Sequence, residues 1–181
     1  MRLRYPLIVF TLLACTAVAY ATSVRPLELE ELVRQSNQIF VGRVVDMHHG
    51  TVAGTDFGYT EYTFAVNDWV KGGSARTVKV RQLARPFLIP GLPAYKKGQD
   101  VLLFLHRPSE IGLTSPVGMQ QGYYPVIRAA NGERVIRAGT MIPSVARLQA
   151  QAKGAAQPAT REIPAGSLPL ADFLALIRQI Q

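Results

Sequence analysis

The chain has 181 residues, a formal charge of +8 and a single cysteine. That length suits one domain with a core of its own, and one cysteine excludes an intrachain disulfide or a cluster of thiolate ligands. The positive balance favours acidic partners, from nucleic acid to lipid headgroups, acidic polysaccharide or an acidic protein.

Arg2 and Arg4 precede an almost wholly apolar run from Pro6 to Ala19, and Ala19-Tyr20-Ala21 offers small residues where a signal peptidase reads them. This is the layout of a secretory signal with cleavage after Ala21, which would remove Cys15 as well. The run of about 14 residues is shorter than the roughly 20 that cross a bilayer, and no later segment is longer, so no transmembrane span is expected after signal removal. Export, periplasmic or extracellular, turns the basic surface away from nucleic acid and toward an exported protein or another acidic macromolecule. Leu12-Leu13-Ala14-Cys15 gives an alternative, a lipoprotein cut that leaves Cys15 acylated and the protein lipid-anchored. The apolar stretch from Thr16 to Ala21 favours the Ala21 cut, because a lipoprotein tether is usually polar.

Pro26 to Ser36 reads as a short helix with Leu29, Leu32 and Val33 on one face, acidic residues in its first turn and Arg34 in its last. Gln38 to His48 then takes a two-residue period. Phe40, Val44 and His48 point one way, and Ile39, Val41, Val45 and Met47 the other, as in a strand covered on both sides; Gly42 permits a bulge. A glycine-rich loop, His49 to Gly58, leads into a long strand from Tyr59 to Val70. There Tyr62, Phe64, Val66 and Val70 share one face, and Tyr59, Glu61, Thr63, Asn67 and Trp69 the other. Lys71-Gly72-Gly73-Ser74 is a turn, and Arg76 to Leu83 completes a hairpin with Val78 and Val80 inward and Thr77, Lys79 and Arg81 outward.

Prolines 86, 90 and 93 exclude a regular element from Arg85 to Gly98, yet Phe87, Leu88, Ile89 and Leu92 make that loop apolar enough to pack on the core. Asp100 to Leu105 is a continuous apolar run, hence a central strand. Gly122–Arg128 and Glu133–Arg137 form a second hairpin across Ala130-Asn131-Gly132. Pro143 to Ala152 reads as a short helix, and Lys153 to Gly166 as a flexible connection rich in Ala, Gly, Gln and Pro. Ser167 is expected to cap a terminal amphipathic helix whose stripe, Leu170, Phe173, Leu174 and Ile177, docks on the barrel.

The pattern predicts a mainly β protein with short flanking helices: a small five- to six-stranded OB-like barrel, with a β-sandwich as the competing architecture. The expected parts are a signal at 1–21, the barrel at 22–142, a linker at 143–168 and the terminal helix at 169–181.

Catalytic groups are sparse. His48 and His49 are consecutive on a strand and point to opposite faces. Asp46 and His48 share a face and make two weak candidate metal ligands, where a catalytic zinc needs three. No Gly-x-Ser-x-Gly elbow and no phosphate-binding glycine loop occurs, and Asp56 with Glu61 is the one carboxylate pair to consider across a cleft. No cofactor is expected. The better surface is the outward face of the second and third strands, where Tyr59, Trp69, Lys79 and Arg81 set aromatics beside cations as candidate ligand-binding residues.

Three segments carry a family resemblance: Leu29-Glu30-Glu31-Leu32-Val33 leading into Ile39-Phe40-Val41-Gly42-Arg43-Val44; Tyr62-Thr63-Phe64 through Val70-Lys71-Gly72; and Pro90-Gly91-Leu92-Pro93 with Gly98-Gln99-Asp100-Val101-Leu102-Leu103-Phe104-Leu105. Over residues 27–128 the chain resembles a group of exported bacterial proteins. Its opening is similar to that of the netrin and tissue-inhibitor-of-metalloproteinases module, an OB-type barrel. The resemblance implies fold and location. In those inhibitors the mature chain starts with a zinc-chelating cysteine, whereas an Ala21 cut leaves Thr22-Ser23-Val24 here. The expected function is an exported, non-enzymatic binding module. The alternatives are an inhibitor or accessory factor of an exported metalloprotease and, third, a metal-dependent hydrolase using Asp46 and His48.

Overall fold

Two runs of apolar sequence, one around Phe40 and one from Val101 to Leu105, become the central strands of the protein. The computed structural model describes residues 25–85, 89–137 and 167–181. The signal with its Ala21 cut and Cys15, the helix expected at 143–152, the connection at 153–166 and residues 86–88 lie outside the described residues.

Among the described residues the chain forms α1 (Leu29–Gln35), β1 (Gln38–Thr51), β2 (Gly58–Lys71), β3 (Thr77–Arg85), β4 (Asp100–Leu105), a 3-10 turn (Met119–Gly122), β5 (Tyr123–Arg128), β6 (Arg134–Arg137), β7 (Ser167–Pro169) and α2 (Leu170–Ile180). The seven strands make one antiparallel sheet in the order β3-β2-β1-β4-β5-β6-β7. The fold is therefore mainly β with short flanking helices, as the periodicity predicts.

The expected five- to six-stranded barrel differs in one respect: the ladder of seven strands stays open. Single-residue bridges, parallel between Arg81 and Leu113 and antiparallel between Leu105 and Pro116, draw the chain at 113–117 between β3 and β4. The Thr114 N–H donates to the Arg81 carbonyl and the Val117 N–H to the Phe104 carbonyl, each at 2.8 Å. Pro116 has no N–H to give, which explains why this stretch crosses the seam by single bridges and not by a ladder.

Both faces of β1 and β4 are covered, because successive side chains alternate between two cores. Ile39, Val41, Leu102 and Phe104 pack with Leu29 and Leu32 of α1 and with Phe173 and Ile177 of α2. Phe40, Val44, Val101 and Leu103 pack with Tyr62, Phe64 and Val80 on the other side. Tyr95 enters this second core from the proline-rich loop, with its ring 4.8 Å from Tyr62 and 5.4 Å from Phe64. Each such buried side chain contributes about 1.5–3 kcal/mol to burial.

Two sequence expectations change here. Val45 and Met47 are exposed instead of buried. A register shift between Val44 and Asp46 inserts one residue into β1, so Met47 stands opposite Tyr62 where β4 has already ended. Ser167 does not cap α2 either: it belongs to β7, paired with Arg137 of β6, and Pro169 occupies the cap position. The docking of α2 is as its stripe predicts, with Leu170, Phe173, Leu174 and Ile177 buried.

Candidate functional site

Strand alternation decides which side chains meet on the outer face of the β1–β2–β3 hairpins. Glu61 of β2 stands between His48 of β1 and Arg81 of β3, and Thr63 stands between Asp46 and Lys79. Side chains at these positions all leave the sheet on the face opposite Tyr62 and Val80.

Glu61 organises the group. Its Oε1 accepts from Lys79 Nζ at 2.8 Å and its Oε2 from Arg81 Nε at 2.6 Å. The residue is only 7% exposed, so the carboxylate has exchanged water for these two cations. Lys79 first, then Arg81, holds its carboxyl below the usual range, against the opposing push of burial. Arg81 is raised in turn, chiefly by its bond to Glu61. The Arg81 guanidinium also lies over the Tyr59 ring, 4.9 Å from its centroid. A charge fixed by a carboxylate and an aromatic face at once has little rotamer freedom left to lose on binding.

Beside this group lies an open hollow of about 520 Å³ whose walls include Val52, Tyr59, Arg81, Glu110 and Ile111. Ile111 is among the exposed large apolar side chains. The site thus combines a partly exposed guanidinium, a lysine held by Glu61, an aromatic ring and an apolar rim, the mixture found in protein interfaces.

Of the four residues singled out from the sequence, Tyr59, Lys79 and Arg81 come together, whereas Trp69 is elsewhere. Its ring packs at 5.3 Å against Phe40 and its Nε1 donates to the Ala75 carbonyl at 2.7 Å. The cause is a bulge: Gly42 pairs with Val66 and Phe40 with Trp69, so β2 carries one extra residue there and Trp69 turns to the inner face.

The weak metal candidates stay apart from further ligands. Asp46 is exposed and reaches only Lys97, at 3.9 Å, and His48 is exposed opposite Glu61. Among the described residues no group of three or more His, Cys, Asp or Glu is placed to hold a metal ion. Asp56 is exposed at the hairpin tip, while Glu61 is committed to its two cations.

The sequence reading missed the cleft on the opposite face. A space of about 670 Å³ opens there between the ends of β1, β2 and β3 and the loop at 89–94, lined by His49, Thr60, Gln82 and Leu92 among others. His49 Nδ1 lies 3.0 Å from Thr60 Oγ1, and Gln82 Nε2 donates to the buried Tyr95 hydroxyl at 3.0 Å. The signal was weak, since only the fold inserts Tyr95 beside Gln82. Among the described residues no helix is long and apolar enough to cross a membrane. Comparison with protein-family models, with curated proteins and with solved structures finds no match for this chain.

Proposed function

We propose that this protein is an exported, non-enzymatic binding module that engages another exported macromolecule through the outer face of β2 and β3. The observation that carries the reading is the Tyr59–Arg81–Glu61–Lys79 group. A carboxylate that is nearly out of water holds two cations in place, and one of those cations rests on an aromatic face beside an apolar rim. Such pre-ordering reduces the entropy lost when a partner binds. The charged start, apolar run and small residues of 1–21 support export, with cleavage after Ala21.

The test is capture from the exported fraction of producing cells by immobilised protein spanning 22–181, in parallel with a Lys79→Ala/Arg81→Gln double variant. The expected result is a partner retained by the first and lost by the second, at unchanged circular dichroism. A partner held equally by both, or none held by either, removes the face from the proposal. Intact mass of the exported protein distinguishes a chain starting at Thr22 from one acylated at Cys15.

A second reading keeps the inhibitor role. The bridged stretch at 113–117, which nearly closes the sheet, supports the OB-type part of the resemblance. Unaltered activity of an exported metalloprotease when this protein is added in molar excess over it removes that reading.

A further inference from the structure

Away from the β2–β3 face, the sheet carries a second charged group that the proposed partner site does not use. Arg43 of β1 pairs with Asp100 of β4, Asp100 with Val126 of β5, and Val126 with Ile136 of β6. Val41, Leu102, Val126 and Ile136 share the helix-facing core. Arg43, Asp100, Arg128 and Arg134 each lie two residues beyond one of these, so all four leave the sheet on that same face, past the end of the apolar cluster.

Within this group the charges do not balance. Asp100 is hydrogen-bonded by Arg43, whose Nε and Nη2 reach its two oxygens at 2.8 and 2.7 Å, while Arg134 and Arg128 lie near enough to act on the same carboxylate through space without contact. Arg128 and Arg134 stand directly opposite each other in the β5–β6 ladder, both exposed. Among the described residues neither has an ion pair, and Arg128 donates only to the Gly132 carbonyl at 3.3 Å. Like charges at directly opposed positions destabilise an antiparallel pair. A bound anion reverses the sign of that interaction, and the planar fork of a guanidinium matches the oxygens of a phosphate.

We propose that Arg128 and Arg134, with Arg43 behind them, form a site for a phosphate-type oxyanion, separate from the Tyr59–Arg81 face. Three guanidiniums against one carboxylate leave two positive charges to be met, which one free phosphate dianion does alone and singly charged phosphodiester headgroups do as a pair. Arg43, Arg128 and Arg134 are all exposed, so the phosphate reaches them from outside, either free in solution or as a lipid headgroup.

The experiment has two arms on the same protein. Inorganic phosphate is titrated calorimetrically at constant ionic strength against chloride, and flotation compares phosphatidylglycerol vesicles with phosphatidylcholine vesicles. Binding in the phosphate arm identifies a free anion as sufficient. Binding to phosphatidylglycerol vesicles alone identifies the headgroup. In whichever arm binds, Arg128→Ala/Arg134→Ala is expected to be about 30-fold weaker and each single Arg→Gln variant about fivefold weaker, taking roughly 1 kcal/mol per arginine at an anionic surface. Arg76→Ala/Arg107→Ala removes the same charge elsewhere and is expected to bind within about twofold of the parent. Absence of binding in both arms overturns the proposal, and so does an equal loss in the charge-matched control. The double variant is also expected to keep or raise the melting temperature, because a repulsive pair has been removed.

Discussion

The Arg81 guanidinium rests on the Tyr59 ring, 4.9 Å from its centroid, and so joins the third strand to the start of the second outside their hydrogen-bond ladder. Tyr59 pairs with Leu83, two register positions from the Glu61–Arg81 pair and on the same face. Tyr59→Leu is expected to lower stability by about 0.5–1 kcal/mol, the worth of a partly exposed cation–π contact, while Tyr59→Phe stays within a few tenths. Urea midpoints of the two variants check this. Equal losses would show that the ring face is not what Arg81 uses.

Glu61 makes stability depend on acid. Its carboxyl is held below the ordinary range by Lys79 and Arg81. The stabilisation is therefore fully present above about pH 4.3, the ordinary glutamate value, and is lost as the pH falls through the depressed folded value. Urea unfolding at pH 5 and again at pH 2–3 is expected to show a larger loss for the parent protein than for Glu61→Gln. The difference between the two isolates Glu61 from Asp100, which Arg43 also holds low.

The turn after β2 is built on two glycines with different tasks. Gly72 has φ of +77° and a Cβ there would overlap the Asn37 carbonyl oxygen. Gly72→Ala is expected to cost about 2 kcal/mol or more, through strain and displacement together. A Cβ at Gly73 would overlap the Trp69 ring. Because Trp69 is the only tryptophan, Gly73→Ala is expected to shift the protein's emission to longer wavelength as the indole is pushed toward water.

The terminal helix is held by its apolar stripe. Phe173 has no exposed surface and its ring lies 5.3 Å from that of Tyr124. Phe173→Ala is expected to cost about 3–5 kcal/mol by thermal or urea unfolding. A loss below about 1 kcal/mol would mean that α2 contributes little to the folded core.

Much of the fold was legible in local pattern. The period of two around Phe64 and Val80, the continuous run of Val101 to Leu105 and the stripe of α2 each state which side chains must leave water, and the structure buries them. Tyr59, Lys79 and Arg81 were legible as a group for the same reason, since their alternation is uninterrupted. Trp69, Val45 and Met47 were misplaced because a bulge inverts every side chain beyond it. A single inserted residue leaves no mark in the hydrophobic pattern.

By itself, then, the sequence determined the elements and their buried faces, because burial is an average over a strand or a helix that composition and period record. Only the tertiary structure decided that Glu61 lies between Lys79 and Arg81, that Tyr95 fills the inner core, that the stretch at 113–117 spans the open seam, and that Arg128 opposes Arg134. Those relationships join residues far apart in the chain. They depend on register, bulges and loop paths, each of which is fixed by the packing of the whole sheet and not by any one segment.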